Sequence, residues 1–386
     1  MKARHIPVGW RQLKHNRLRL IAALAGITFA SMLMLVQLGV RDAMFESGIR
    51  WHQAWNYDIA LLSPKSEYLL EVHDLPRVRV FQAGGVEGVT AVTPVYTKMG
   101  KWRNPDNPRQ VWPIFVAAFD PADEGFGDII TPEQQEQIRL DDFYLFDNLS
   151  RPEYGPIPAM LASEGTLTLE MNGRRIRVGG LFEVGNSFGI NGALITSDLN
   201  YLRLFPNRDH AQVSLGLVQI EPGAVPEKVR DAIAAALPPD VVVVTREEFK
   251  ALEVKYWDSS TPIGYVLNMG VIMGLIVGAI IVYQILFSDV QDNLREYATL
   301  KAMGYSNHYL SGVVLQEAAI LGIAGFVPAI LLSLLVFRIT ASATNLPLEL
   351  TLYKAGIVLC LTLVMCAIAG LLAMRKVRSA DPADVF

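Results

Sequence analysis

The chain has few residues of the types that build disulfide frameworks or metal centres. Its 386 residues include two cysteines, Cys360 and Cys366, and both lie in an apolar run near the C-terminus, where we expect them to be packing residues. The long polar segment 41–262 contains none, which excludes a disulfide framework there. The six histidines are scattered, without a His-x-x-x-His pair. Because zinc sites need clustered ligands, the sequence predicts no metal site, and we expect no cofactor.

Two catalytic signatures are also missing. No Gly-x-x-x-x-Gly-Lys-[Ser/Thr] occurs, since Gly100-Lys101-Trp102 lacks both the spacing and the hydroxyl. The chain therefore has no P-loop to hold ATP phosphates. There is no His-Glu-x-x-His either. We predict that the chain is not itself an enzyme.

The overall charge argues against nucleic-acid binding. The formal net charge is −4, so no strongly basic character is available to neutralise phosphates. Hydrophobic residues make up 51% of the chain and the mean hydropathy is +0.29, which lies between a soluble protein and a bundle of membrane helices. The sequence therefore predicts a chain divided into membrane and soluble parts.

Four apolar runs are long enough to span a bilayer, which needs about 20 helical residues. The first run is longer than the roughly 7–15 apolar residues of a signal peptide and has no cleavage site, so we interpret it as a retained span. The fold class that follows is a membrane protein with four transmembrane α-helices and a large α+β periplasmic domain between helices 1 and 2. The predicted segments are an N-terminal segment 1–19, helix 1 at 20–40, the periplasmic domain 41–262, helix 2 at 263–287, a coupling helix and loop 288–312, helix 3 at 313–337, a short periplasmic loop 338–354, helix 4 at 355–374, and a tail 375–386.

Charge at both ends predicts the orientation. Residues 1–19 contain six basic residues and no acid, and Arg375, Lys376 and Arg378 follow the fourth run. By the positive-inside rule, both termini lie in the cytoplasm of an inner (plasma) membrane protein. The insertion would then be periplasmic.

The insertion shows strand-like and helix-like segments. The predicted strands are Val86–Tyr96, Val111–Phe119, Thr166–Phe182, Val213–Ile220 and Val241–Thr245, and the predicted helices are Pro226–Leu237 and Glu247–Tyr256.

Small residues recur at every fourth position in the first two spans. Gly270, Gly274 and Gly278 share one face of helix 2, and Gly26 lies between Ala22 and Ala30 in helix 1. Missing side chains let another helix approach closely, so we predict helix packing at these glycines.

The segment after helix 2 is amphipathic on a helical wheel. One arc carries Asp289, Asp292, Arg295 and Glu296, and the opposite arc carries Val290, Leu294, Tyr297 and Ala298. We predict a short helix that lies against a membrane or a partner and ends at Gly304. Glu317, near the start of helix 3, is expected to be solvated near the membrane surface.

Here the chain resembles a known family. Arg295-Glu296 followed by Lys301-Ala-Met-Gly304 resembles the cytoplasmic coupling element of MacB/FtsX-type ABC transporter permeases, although Ala298 stands where that family often has glycine. Passages along the whole chain resemble its DevC branch: Trp102-Arg-Asn-Pro105, Gly180 to Gly189, Thr196-Ser-Asp198, Tyr256 to Thr261 and Asp381-Pro-Ala-Asp384.

The resemblance implies a homodimer in which the coupling element docks on a separate P-loop ATPase subunit (DevA-like). It further implies a DevB-like membrane-fusion adaptor and a TolC-like outer-membrane channel, with export of a glycolipid-like amphiphile as in cyanobacteria. The residues carried over as ATPase contacts are Asp292, Arg295, Glu296, Lys301 and Gly304.

Two other functions stay open. One is an FtsX-like regulator, in which the same motion activates a cell-wall hydrolase and nothing is exported. The other is a sensor receptor with an extracytoplasmic ligand domain, although no effector domain follows the spans.

Overall fold

The structure is a computed structural model that describes residues 17–123, 125–292, 294–344 and 348–379. The predicted N-terminal segment therefore lies mostly outside the described residues, as do the end of the tail and Asp381-Pro-Ala-Asp384. The chain divides into two compact units. We call them the helical unit, within Met1–Ala43 and Pro262–Phe386, and the sheet unit, Met44–Thr261.

The helices are, in chain order, α1 (Arg17–Gly48), α2 (Arg50–Ala54), α3 (Arg77–Ala83), α4 (Pro132–Gln137), α5 (Ile157–Glu164), α6 (Asp198–Leu204), α7 (Pro226–Ala236), α8 (Arg246–Lys255), α9 (Pro262–Asp292), α10 (Leu294–Ala302), α11 (Asn307–Thr344) and α12 (Leu352–Ser379). The strands are β1 (Ile59–Leu62), β2 (Leu75–Pro76), β3 (Val89–Arg103), β4 (Val111–Phe119), β5 (Phe143–Asp147), β6 (Leu167–Met171), β7 (Arg174–Phe182), β8 (Ala193–Ser197), β9 (Gln212–Val213), β10 (Leu215–Ile220) and β11 (Val242–Thr245).

Four helices of the described chain are long and apolar enough to cross a membrane. They are the segments Leu20–Gly48, Pro262–Asp292, His308–Ala341 and Leu352–Met374 of α1, α9, α11 and α12. The α+β sheet unit is inserted between the first and second of them, so the predicted fold class is confirmed.

Several predicted boundaries differ from the structure. Helix α9 continues to Asp292 instead of ending at Phe287, and only Asn293 separates it from α10. The reason is that no glycine or proline occurs between Ala279 and Met303 to interrupt the helix. The predicted loop 338–354 is also shorter, because α11 runs on to Thr344 and α12 begins at Leu352.

The sheet unit contains a mixed nine-stranded sheet. Its strand order is β11-β1-β10-β3-β4-β8-β5-β7-β6, and β2 pairs with β9 in a separate two-stranded sheet. The β4–β8 and β5–β7 pairs are parallel and the other pairs are antiparallel. Successive residues of a strand point to opposite faces, and both faces are covered. Ile59, Tyr96 and Ile114 belong to the core on one face, whereas Ala60 and Phe115 belong to the core on the other.

The predicted strand Thr166–Phe182 is a hairpin of two strands. β6 and β7 are joined by Asn172-Gly173, whose φ angles are 51° and 76°. Both values are positive, as a type I′ turn requires, and Asn-Gly is its preferred sequence. The other predicted segments fall on β3, β4, β10, β11, α7 and α8, with β3 continuing beyond Tyr96 to Arg103.

Candidate functional site

The short helix α10 ends in a backbone cap at Gly304. The N–H of Tyr305 donates to the Leu300 carbonyl at 3.1 Å, and the N–H of Gly304 donates to the Lys301 carbonyl at 3.0 Å. This pair of bonds is a Schellman motif, which places Gly304 in the left-handed region, here at φ 94°. Glycine adopts that conformation without a steric penalty, which explains why the helix stops at this residue.

One side of α10 is buried in the helical unit. Tyr297 is 2% exposed and packs in a cluster with Val290, Leu310, Val314 and Met374. Leu294 and Leu300 border the same cluster. The apolar arc therefore rests against the ends of α9, α11 and α12; the side chain of Ala298 lies outside the described residues.

The other side of α10 carries the residues that the sequence assigned to ATPase contact. Asp292, Arg295, Glu296 and Gly304 are exposed, and Lys301 is half-buried. They lie within residues 292–304, where Asp292 ends α9, Arg295, Glu296 and Lys301 belong to α10, and Gly304 follows it. Their role in docking remains a prediction.

Asp289 corrects one part of the predicted charged arc. It is 7% exposed, whereas Asp292 in the same helix is exposed, so Asp289 is not accessible to a partner. The helical wheel placed Asp289 with Asp292 on a solvent-facing arc, but its carboxyl group lies beside that of Glu317 of α11 instead.

A buried polar cluster behind α10 was missed from the sequence. The carboxyl groups of Asp289 and Glu317 are neighbours, and Glu317 is fully buried instead of solvated. The Tyr297 hydroxyl is buried nearby and has no hydrogen-bond partner among the described residues. Burial, reinforced by these carboxyl groups, raises the pKa of Tyr297 above its usual range. The signal for Glu317 was its position on one helix face with Leu310, Val314 and Leu321.

The glycines of α9 lie against α1. A Cβ built on Gly270 would lie 2.5 Å from Cδ of Gln37, and one on Gly274 would lie 3.1 Å from Cγ of Met34. On Gly278 it would lie 2.6 Å from Cβ of Ala30 and 2.5 Å from Sδ of Met365 in α12.

Gly26 of α1 makes the reciprocal close approach, to Ile281 of α9. Two interhelical hydrogen bonds reinforce the packing of α1: Thr28 Oγ1 donates to the Gly325 carbonyl at 2.9 Å, and the hydroxyls of Ser31 and Thr362 lie 3.0 Å apart.

Within the sheet unit, a buried network surrounds the helix that precedes α9. Glu253 of α8 is 3% exposed; its Oε2 accepts from the backbone N–H of Leu69 at 2.9 Å, and its Oε1 accepts from Nε1 of Trp257 at 3.0 Å. Nε2 of the buried His52 lies 3.6 Å from the same Oε2. No local sequence pattern indicates this network, because its members are far apart along the chain.

A π-helical turn, Tyr256–Ser260, follows α8 and leads to α9 at Pro262. Tyr256 in this turn stacks on Tyr68, with ring centroids 3.9 Å apart. Such turns are frequent at functional sites. The loop around Tyr68 is thus attached to the segment that continues into the second span.

One motif match has no catalytic geometry. Gly185-Asn-Ser-Phe-Gly189 fits Gly-x-Ser-x-Gly, the pattern of the serine-hydrolase elbow. That elbow requires a strand, a sharp turn and a helix. Here the segment follows β7, Ser187 pairs with Ile190 in an isolated bridge, and β8 comes next. Among the described residues, moreover, no group of three or more His, Cys, Asp or Glu is placed to hold a metal ion.

Comparison with known proteins gives one family match. Residues 268–382 match the family described as FtsX-like permease C-terminal. This region contains most of α9, all of α10 and α11, and α12. The match indicates an FtsX-like permease region over these helices. No curated protein matches the chain.

Two solved structures are similar to the sheet-containing half of the chain. One is the periplasmic region of MacB from Actinobacillus actinomycetemcomitans, at 12% identity and a TM-score of 0.34, covering 51% of this chain and 92% of that one. The other is the extracellular domain of the noncanonic ABC-type transporter YknZ from Gram-positive bacteria, at 14% identity and a TM-score of 0.35, covering 49% of this chain and 100% of that one.

Proposed function

We propose that the chain is the permease subunit of an ABC exporter and transmits motion from a separate ATPase to its sheet unit. The observation that carries the proposal is the arrangement of α10 within the FtsX-like region. Its apolar side is anchored on three spans, and its charged side is accessible to a partner. Displacement of α10 by an ATPase subunit would move α9, which joins the sheet unit at Pro262.

In this proposal the subunit acts as a homodimer with both termini in the cytoplasm. ATP-driven closure of a DevA-like ATPase pushes α10, and the sheet units drive a glycolipid-like amphiphile into a DevB-like adaptor and a TolC-like channel. The chain itself performs no ATP hydrolysis. The main competing function is FtsX-like regulation of a cell-wall hydrolase, which uses the same transmission and differs in its extracytoplasmic partner.

The test is a charge reversal on the accessible side of α10. Glu296→Lys should leave membrane insertion intact and sharply reduce co-purification with the separate ATPase subunit. Losing one member of a buried charged pair at an interface costs about 2–5 kcal/mol, whereas a rim charge matters far less. Glu349→Lys is the matched control, because Glu349 is an exposed glutamate of the helical unit outside α10. Normal ATPase association and normal export in Glu296→Lys would overturn the proposal.

A further inference from the structure

The sheet unit contains a cavity that the proposed transmission mechanism does not use. Its volume is about 660 Å³, within the range of roughly 300–1,000 Å³ typical of small-ligand pockets. One wall is the segment Ser63–Asp74, which includes a 3₁₀ turn at Leu69–Glu71. The facing wall is β3 from Thr97 to Met99.

β3 is longer than β10, and the cavity lies beside the part of β3 that β10 does not pair with. β10 pairs with β3 only from Val89 to Val95, whereas β3 continues to Arg103. An extended peptide could pair with this edge of β3 over only a few residues. Ser214 Oγ bonds the backbone N–H and C=O of Thr97, and Asn172 bonds the N–H and C=O of Lys101. Only a short stretch around Met99 stays open, which favours a compact ligand over a peptide strand.

Part of the lining is apolar. Leu69 and Phe115 are buried in the core on this face of the sheet, and Leu70, Val72 and Met99 pack against it while lining the cavity. A ligand with a hydrocarbon portion would remove this surface from water, with a gain of about 25 cal/mol per Å² of apolar area.

The other lining residues are polar or charged. Lys65, Lys98 and Arg208 line the cavity together with Glu71 and Asp74. Asp74 is already paired with Arg208, whereas neither lysine forms an ion pair among the described residues; Lys98 Nζ lies over the ring of Phe205, 5.4 Å from its centroid. Available positive charge therefore exceeds available negative charge, which favours an anionic group.

Arg208 provides the fixed recognition element. Its side chain is 9% exposed, Asp74 holds it, and its Nη2 donates to Ser214 Oγ at 2.8 Å. Its Nε is buried and has no hydrogen-bond acceptor among the described residues. The ion pair with Asp74 and the bond to Ser214 hold the guanidinium of Arg208 in place at the cavity wall.

We propose that this cavity binds an anionic amphiphile, with Arg208, Lys65 and Lys98 on the acidic head and Leu70, Val72 and Met99 on the apolar portion. This deepens the proposed function, on which it rests, by narrowing the exported amphiphile to one whose head carries an acidic group and by assigning it a subsite within one subunit. The cavity wall is also the segment that Glu253 and Tyr256 hold through Leu69 and Tyr68. Movement of α8 and the π-helical turn would therefore change the shape of the cavity.

The test is ligand binding by the full chain in lipid nanodiscs, with empty nanodiscs as the blank. Octyl phosphate is the probe, octyl glucoside lacks its charge, and inorganic phosphate lacks its chain. We expect octyl phosphate to bind at least tenfold more tightly than either. Lys65→Gln combined with Lys98→Gln should weaken octyl phosphate binding at least tenfold. Lys101→Gln, an exposed lysine of β3 outside the cavity, should leave it unchanged.

Three results would overturn the proposal: equal binding of octyl glucoside, equal binding of inorganic phosphate, or unchanged affinity in the double variant. Met99→Gln tests the apolar wall and should weaken the binding of octyl phosphate without changing the affinity for inorganic phosphate. The assay needs no ATPase. Failure here with intact Glu296-dependent ATPase association would reject the cavity alone, and the converse result would reject the permease proposal alone.

Discussion

The backbone N–H of Leu69 donates a 2.9 Å hydrogen bond to Oε2 of Glu253, 184 positions further along the chain. Because Glu253 also accepts from Trp257, a single carboxylate fastens the Ser63–Asp74 segment to the helix that precedes the second span. In a subunit that transmits motion, such a contact makes the loop follow the helix.

Glu253→Ala should destabilise the sheet unit. The substitution leaves the Leu69 N–H buried and the Trp257 indole N–H partly buried without their acceptor, at about 1–3 kcal/mol each. Glu253→Gln keeps one acceptor oxygen and should have an intermediate effect. The measurement is thermal unfolding of the full chain followed by tryptophan fluorescence.

The control for Glu253 is Glu247→Ala in the same helix, since the Glu247 side chain is 79% exposed and its ion pair with Lys250 lies at the surface. Such pairs contribute about 0–1 kcal/mol. An unfolding midpoint of Glu253→Ala equal to that of Glu247→Ala would show that the buried network adds no stability.

Gly278→Leu should disrupt the helical unit. A Cβ there already meets Ala30 and Met365 at 2.6 and 2.5 Å, so a leucine forces α9 away from α1 and α12. Gly274→Leu, with its nearest contact at 3.1 Å, should have a smaller effect of the same kind. We expect normal membrane insertion, a lower midpoint of thermal aggregation in detergent, and impaired export.

Gly356→Leu is the matched control for these glycines, because a Cβ at this span position meets no atom within 4 Å. It should behave as the unmodified chain. If Gly278→Leu and Gly356→Leu gave the same midpoint of thermal aggregation and the same export, close packing at the α9 glycines would contribute to neither stability nor export.

Hydropathy was sufficient to find the spans, because a bilayer imposes a length and an apolar composition on any helix that crosses it. It could not find short strands buried on both faces. β1 (Ile59–Leu62) and β5 (Phe143–Asp147) are buried throughout, so the alternation that normally marks a strand is absent. The nine-stranded order likewise rests on pairings between distant segments that no local pattern encodes.

The candidate site was predictable only in part. The apolar arc of α10 and the stop at Gly304 follow from local spacing and glycine conformation. The burial of Asp289 and Glu317 does not, because charge near a predicted membrane surface normally indicates solvation. That expectation failed since α9 extends past the apolar run and packs its acidic end against α11.

Cysteine labelling should place the two units on opposite sides of the membrane. In a Cys360→Ser background, Asp141→Cys in the sheet unit should react with a membrane-impermeant maleimide in cells with a permeabilised outer membrane. Met303→Cys, at the end of α10, should react only after lysis. Both native side chains are well exposed, at 77% and 63%, so burial does not limit the reaction. Labelling of Met303→Cys in unlysed cells would reverse the proposed orientation.

Glu317 tests whether the buried polar cluster holds α10 in place. Glu317→Leu removes the hydrogen bond between Glu317 and the buried Asp289 carboxyl and puts an apolar side chain beside it, at a cost of about 1–3 kcal/mol. We expect α10 to shift, with a lower thermal midpoint and weaker co-purification with the ATPase. Glu317→Gln keeps the volume and offers an amide that can bond to Asp289, so it should retain most of the thermal stability and most of the ATPase association.

Gln316→Leu is the control for adding an apolar residue to this turn, because Gln316 is exposed and adjoins Glu317. If Glu317→Leu binds the ATPase as well as Gln316→Leu does, then the cluster does not position α10, and the apolar contacts around Tyr297 are sufficient to anchor it.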